Sequence, residues 1–167
     1  PPVDDYRLEW ARWHQPTGLL KLGTLLRPVG IDCRLIDCLS MTGSRIARTK
    51  QATTELEGFT FTKWLFGLPP AALRTRVKTM LAEGWKPDVV FVTSLNTIWW
   101  SSVSDTIALL RQLLPDVDIV LGGAYPTLDP DHAASHSGAD RVVTGAVPEA
   151  AEMTPDLGLY PSRPRSA

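Results

Sequence analysis

Short runs of apolar residues alternate along this chain with longer segments whose apolar positions recur every three or four residues. The short runs predict buried strands, and the recurring positions predict amphipathic helices. Between residues 16 and 150 the alternation predicts an α/β domain, with a parallel sheet, helices on both of its faces and right-handed connections. We therefore expect a doubly wound sheet of the flavodoxin or Rossmann kind.

Three helices are predicted by both their apolar faces and their end signals. The first begins at Pro16 and ends at Gly30, and the second begins at Pro69-Pro70 and runs to about Glu83. The third covers about 102–114, with Ser101 or Ser102 as its cap. Strands are predicted at residues 31–37, 89–92, 119–121 and 141–144.

Residues 40–68 show no clear period and end in an aromatic patch. We expect an irregular insertion, either with some structure of its own or as a surface that covers a ligand or another domain. The Pro-, Ser- and Arg-rich residues 154–167 are typical of a linker or disordered tail, so the domain is expected to span residues 1–153. Because the chain starts at Pro1 and closes in such a tail, we expect both ends to be cut from a longer chain.

Composition excludes several classes of partner. With a net charge of -1 and 21% charged residues, the chain gives no reason to expect nucleic acid or an anionic membrane surface. No apolar run is long enough to span a bilayer and no signal peptide opens the chain, which favours a cytoplasmic protein. Cys33 and Cys38 are five apart around one predicted strand, so their side chains face opposite ways and are expected to be free thiols.

Small polar residues follow three of the predicted strands. They are Thr93-Ser94, Gly122-Gly123 and Thr144-Gly145. In open parallel sheets ligands bind outside the carboxyl ends of the strands, where glycine lets a ligand approach the backbone and hydroxyl groups offer hydrogen bonds. Tight turns with nothing bound would explain the same residues equally well.

The order of these segments resembles a known family. The helix GLLKLGTLLRPVG and the strands IDCRLIDCL, PDVVFVTSLNT and VDIVLGGAYPTL, with LGGAYPTLDPDHA and ADRVVTG as the most specific parts, are similar to the cobalamin-binding domain that precedes the catalytic barrel in many radical S-adenosylmethionine enzymes. The resemblance covers roughly residues 15–150. It implies a corrinoid on the carboxyl ends of the strands, with its nucleotide tail entering between a Ser-or-Thr-x-Leu loop and a Gly-Gly loop.

The resemblance also implies which residues hold the cofactor. The Thr93-Ser94-Leu95 loop and Gly122-Gly123 would supply the tail's channel, with Thr93, Leu95 and the two glycines as its lining. The residues implied to touch the ring or its amides are Asn96, Thr97, Tyr125, Thr144 and Gly145.

The chain departs from the family pattern at three points. The Asp-x-His-x-x-Gly loop that supplies a cobalt ligand in some relatives is missing, so we expect no histidine ligand, and His14 is the nearest candidate. His132 and His136, four apart on a short helix, are expected to be solvated and not metal-binding, since no third ligand is evident. The family's first strand has no counterpart, so either residues 3–13 replace it or the chain is a fragment. Two cysteines are also too few for the cluster-binding Cys-x-x-x-Cys-x-x-Cys motif, so we expect no iron–sulfur cluster here.

These expectations give one leading function and two alternatives. The leading one is a non-catalytic cobalamin-binding module that works with a radical S-adenosylmethionine domain in cis or in trans, holding the corrinoid as methyl carrier or redox cofactor. One alternative is a degenerate α/β domain that docks a protein through the aromatic segment 59–66. The other is a flavodoxin-like flavin or nucleotide binder. Trp99-Trp100 would either pack in the core or shield the cobalt face from water.

Overall fold

A computed structural model describes residues 3–5, 15–39, 41–42 and 45–160. Its strands are β1 (Val3–Asp5), β2 (Met41–Thr42), β3 (Arg45–Ile46), β4 (Arg48–Leu56), β5 (Phe59–Phe66), β6 (Val89–Ser94), β7 (Asp118–Gly123) and β8 (Arg141–Val142). Its α-helices are α1 (Thr17–Leu26), α2 (Pro70–Ala82), α3 (Trp100–Leu113), α4 (Ala124–Leu128), α5 (Pro130–His136) and α6 (Pro148–Ala151). Short 3₁₀ helices cover Arg27–Val29, Thr97–Trp99 and Leu157–Leu159.

The centre of the fold is a parallel sheet in the order β6-β7-β8. The predicted α/β class is therefore confirmed, with helices α1 and α3 both in contact with β6. Strand β7 is central and supplies Ile119 and Leu121, both fully buried. They pack in one core with Val103 and Ile107 of α3 and Leu73 of α2. Burial of these aliphatic side chains, at about 1.5–3 kcal/mol each, holds the helices to the sheet.

The predicted helices form, with one correction at a cap. Gly30 ends the first helical segment in a left-handed conformation (φ 87°), and Pro69-Pro70 begins α2. Helix α3 begins at Trp100, earlier than the serines predicted to cap it, and Ser102 is buried within it. The reason is the preceding 3₁₀ turn, which Asn96 caps by accepting a hydrogen bond from the Ile98 amide (3.2 Å).

The predicted strand at residues 31–37 is wrong, since none of these residues belongs to a strand. Their apolar alternation fits a strand, but a strand also needs a neighbour that completes its backbone hydrogen bonds. Here a cavity of about 860 Å³ is lined both by residues 30–39 and by residues 84–95, which include the whole of β6. Among the described residues, β6 pairs only with β7.

The segment that the sequence left unclear contains a long antiparallel hairpin, β4–β5. All of β4 is exposed, whereas β5 becomes buried towards Leu65 and Phe66. Strand β1 pairs antiparallel with the end of β5, Val3 opposite Phe66. Residues 3–5 therefore extend the hairpin sheet and do not replace the family's first strand, while residues 6–13 lie outside the described part of the chain.

Residues 154–160 follow α6 and lie against α1. The Thr24 hydroxyl donates to the Thr154 carbonyl (2.7 Å), and the Asp156 amide donates to the Leu20 carbonyl (3.1 Å). Arg27 forms an ion pair with Asp156 at 2.6 Å. The rest of the predicted tail, 161–167, lies outside the described residues. Both cysteines are free, as predicted.

Candidate functional site

Two of the predicted loops meet at the carboxyl edge of the parallel sheet. In the register of β6 and β7, Thr93 lies opposite Gly122 and Ser94 lies opposite Gly123. The third loop follows β8, whose Val142 is paired with Leu121. Because the three strands are parallel and adjacent, their final residues lie along one edge, as the sequence predicts.

Gly123 allows the close approach of the first two loops. Its φ is +99°, and a Cβ atom there would lie 2.5 Å from Thr93 Oγ1 and 2.7 Å from the Ser94 carbonyl oxygen. Only glycine accepts both the conformation and the contact. Gly122 and Gly145 differ from it: a Cβ atom at Gly122 would meet only the Val143 carbonyl at 3.9 Å, and one at Gly145 would meet nothing within 4 Å. These two glycines leave the backbone accessible.

The loop after β6 is stabilised by its own polar groups. Ser94 is buried, and its hydroxyl donates to the Asn96 carbonyl (3.1 Å). Asn96 uses Oδ1 for the Ile98 amide, which leaves its Nδ2 group as a donor. Leu95 is 47% exposed. Ser94 therefore shapes the loop, whereas Leu95 and the Asn96 amide group can meet a ligand.

A residue that sequence reasoning missed, Thr127 of α4, joins the second and third loops. Its hydroxyl donates to the Gly123 carbonyl (2.7 Å) and accepts from the Gly145 amide (2.9 Å). Nothing in the local sequence distinguishes this threonine from any other that bonds the carbonyl four residues earlier. The signal appears only when β8 brings Gly145 beside α4.

Tyr125 lies beneath this edge and does not face outward. It is 1% exposed, and its hydroxyl is 2.7 Å from Nδ1 of His132. Burial, with the nearby Asp129 as a second cause, raises the pKa of Tyr125, so the phenol stays protonated. The prediction that Tyr125 touches the ring of a cofactor stays untested. Its observed contact is a hydrogen bond to a helix on the same edge.

An aromatic cluster surrounds that hydrogen bond. The imidazoles of His132 and His136 are stacked with centroids 4.1 Å apart, and Trp100 meets them edge-on at 5.1 and 5.8 Å. His132 is half-buried and hydrogen-bonded, so the expectation that it is solvated is wrong. His136 is exposed, as expected.

Trp99 and Trp100 have separate surroundings. Trp99 packs beside the small core formed by Ile46 and Phe66 and lines the cavity, while Trp100 is 39% exposed beside the histidines. The cavity reaches the edge of the sheet at Thr93, Ser94 and Leu95. It therefore connects the candidate site with the interior.

Among the described residues, no three His, Cys, Asp or Glu side chains are grouped so that they could hold a metal ion. His14 lies outside those residues. Within the same part of the chain, no helix is long and apolar enough to cross a membrane.

Comparison with protein families bears directly on this edge. Residues 75–153 match the family model of the B12 binding domain. The matched segment is just under half of the chain and contains all three loops. B12 binding domains have a flavodoxin-like fold, in agreement with the parallel sheet, and the match supports a cobalamin-binding domain in this segment. Comparisons with curated proteins and with solved structures gave no match.

Proposed function

We propose that the chain is a cobalamin-binding module, with the corrinoid at the carboxyl edge of β6, β7 and β8. One observation carries the proposal: the register that sets Thr93 opposite Gly122 lies inside the segment that matches the B12 binding domain. The two loops predicted to hold the nucleotide tail, Thr93-Ser94-Leu95 and Gly122-Gly123, are thus neighbours in space, and both lie in the segment that matches the family model.

The groups at this edge fit such a cofactor. All ten predicted contact residues are uncharged, which suits a corrin rim of neutral amides. In the described part of the chain, the hydroxyls of Thr93, Thr97 and Thr144 make no internal hydrogen bond, so they can donate to or accept from those amides. Gly122 and Gly145 leave room for the ring to approach the backbone.

The cavity offers space for the nucleotide tail. Its mouth includes Thr93 and Leu95, and its walls include Val92, Thr106 and Leu110. At about 860 Å³ it lies within the usual range for small-molecule sites, about 300–1,000 Å³. We propose that the tail occupies the part nearest Thr93.

Bound cobalamin would supply methyl transfer or redox chemistry, while the residues of this chain bind, orient and shield it. No histidine of the chain is proposed as a cobalt ligand, since the Asp-x-His-x-x-Gly loop that supplies one in some relatives is missing from the sequence. The radical chemistry would belong to a radical S-adenosylmethionine domain in cis or in trans, because Cys33 and Cys38 fall short of a cluster motif. We also propose that this module acts in the cytoplasm.

The direct test is retention of hydroxocobalamin after desalting, followed by the visible spectrum. We expect wild-type protein to keep the corrinoid bands and Gly122→Val to lose them, because the added side chain points into accessible space at the site. Gly18→Val is the matched control, since a Cβ atom there also meets nothing within 4 Å but lies on α1. Folded wild-type protein without corrinoid would refute the proposal.

A second candidate function, protein docking, is favoured by the tip of the β4–β5 hairpin. Leu56, Phe59 and Phe61 are 62%, 69% and 40% exposed on adjacent strands. Trp64, part of the predicted docking segment, is instead half-buried and stacked under Arg48 (4.3 Å). A pull-down that depends on Phe59 but not on Gly122 would support docking over cofactor binding. The alternative of a flavin or nucleotide binder stays a prediction, and no contact described above favours it.

A further inference from the structure

The loops after β7 and β8 each contain a glycine with a positive φ. Gly123 has φ +99° and Gly145 has φ +75°, both values that glycine reaches without strain. Strand β8 pairs with β7 through only two residues, and the last backbone bond of this ladder is from Val143 to Leu121 (2.8 Å). Beyond Val143 the backbone ladder no longer fixes the third loop.

Beyond Val143, the third loop is connected to the second through the side chain of Thr127. Its one hydroxyl donates to the carbonyl of the second loop and accepts from the Gly145 amide of the third. A hydroxyl can perform both roles at once, and the threonine χ1 angle is restricted by branching at Cβ. The side chain therefore ties the third loop, which the β7–β8 ladder does not hold beyond Val143, to the second loop, which the pairing of β6 with β7 holds.

Thr127 is exposed, so burial does not demand these bonds. Loss of the hydroxyl would release the third loop from α4 at the surface and leave the core of Ile119 and Leu121 intact. The Gly145 amide, already bonded to Thr127, is not available to a ligand. Gly145 can contribute open space and its carbonyl, while Thr144 contributes a hydroxyl.

We propose that Thr127 is a positioning residue for the ligand site, holding the Gly122-Gly123 and Thr144-Gly145 loops at the spacing that a corrinoid requires. This inference rests on the proposed function. It predicts that ligand affinity depends on a hydroxyl that touches no ligand atom.

The test compares Thr127→Val and Thr127→Ser by hydroxocobalamin titration and by hydrogen exchange of the Gly145 amide. Thr127→Val should bind about tenfold more weakly, the equivalent of one lost hydrogen bond, and the Gly145 amide should exchange faster. Thr127→Ser should restore both properties. Thr75→Val is the matched control, because the exposed Thr75 donates to the carbonyl four residues earlier (3.0 Å) but reaches no second loop.

The outcomes distinguish failure of the positioning role of Thr127 from failure of the proposed cobalamin binding. Equal affinity of wild type and Thr127→Val would overturn the positioning role, as would equally weak binding by Thr127→Ser. If wild type binds no corrinoid, the proposed function fails, and the exchange rate of the Gly145 amide alone decides whether Thr127 holds the loops. Unchanged exchange in Thr127→Val would then overturn the inference.

Discussion

Two neighbouring glycines at the end of β7 have different requirements. Gly123 has a positive φ and contacts Thr93 and Ser94, whereas Gly122 has neither constraint. We expect Gly123→Ala to lower the free energy of unfolding by about 2–4 kcal/mol, from backbone strain together with overpacking. Gly122→Ala should change it by less than about 1 kcal/mol. Urea denaturation of both variants measures the difference, and equal values would show that the close contact with Thr93 is not maintained.

Asp140 predicts a pH dependence. Its carboxylate accepts hydrogen bonds from Arg111 and from the Ile119 amide (2.7 Å), with Arg111 as the larger cause, and these lower its pKa below the ordinary value. A depressed pKa gives stability that is present above the unfolded-state pKa, about 3.9, and lost as the pH falls through the folded-state value. Wild type should exceed Asp140→Asn in stability at neutral pH, and the difference should shrink below about pH 4.

Thermal unfolding across that pH range checks this prediction. Asp116→Asn is the control, since Asp116 is exposed and forms no hydrogen bond with the described residues. A stability difference between wild type and Asp140→Asn that stays constant down to pH 3 would contradict the assignment.

At the residue scale, the sequence predicted where two of the polar loops lie, whereas the binding roles of their residues stay predictions. The polar loop after β6 and the glycines after β7 were predicted because each follows an apolar run directly. Thr127 was missed and Tyr125 is buried, because both depend on how α4 packs against a neighbouring loop. Such contacts arise from tertiary structure and leave no local pattern.

At the level of elements, periodicity predicted the helices well and the strands less evenly. Helices α1, α2 and α3 complete their own hydrogen bonds, so an apolar face and end signals suffice. The segment 31–37 has a strand-like pattern, but it pairs with no strand in the described part of the chain, and the pattern alone cannot provide a partner. The β4–β5 hairpin was not predicted because β4 is exposed throughout. Its sequence therefore lacks the alternation of apolar and polar residues that marks a half-buried strand.

The segment after α6 gives a prediction about domain extent. Residues 154–160 bond to Leu20, Thr24 and Arg27 of the first helical segment, and the side chain of Leu159 packs closely on Gly23, leaving no room for a Cβ atom there. A chain ending at Met153 should lose about 1–3 kcal/mol of unfolding free energy, the sum of a few hydrogen bonds.

Chemical denaturation measures this loss, and a chain ending at Tyr160 is the control, because it keeps all of those contacts. If both shortened chains match the full chain, residues 154–160 behave as the linker that their composition predicts.

At the scale of the molecule, the two three-stranded sheets belong to different parts of the chain. The hairpin sheet, β1-β5-β4, lies outside the segment that matches the B12 binding domain, while the parallel sheet lies inside it. The alternation of strand-like and helix-like patterns predicted an α/β domain, and the resemblance predicted a ligand edge. Neither predicted that β6 would border a large cavity. That cavity depends on the long-range placement of residues 30–39 against β6, which periodicity does not encode.

The final prediction is that no histidine of this chain coordinates the cobalt of a bound cobalamin. The sequence lacks the Asp-x-His-x-x-Gly loop that supplies the cobalt ligand in some relatives, and we propose that no histidine of this chain replaces it. Bound cob(II)alamin should therefore show no superhyperfine coupling to protein nitrogen, and its EPR spectrum should be the same in ¹⁴N- and ¹⁵N-labelled protein. Replacing His14, His132 or His136 by Ala should leave the spectrum unchanged, although His132→Ala removes a hydrogen bond to Tyr125 and should bind more weakly than His136→Ala. A spectrum altered by ¹⁵N labelling and by His14→Ala would instead identify His14 as the cobalt ligand.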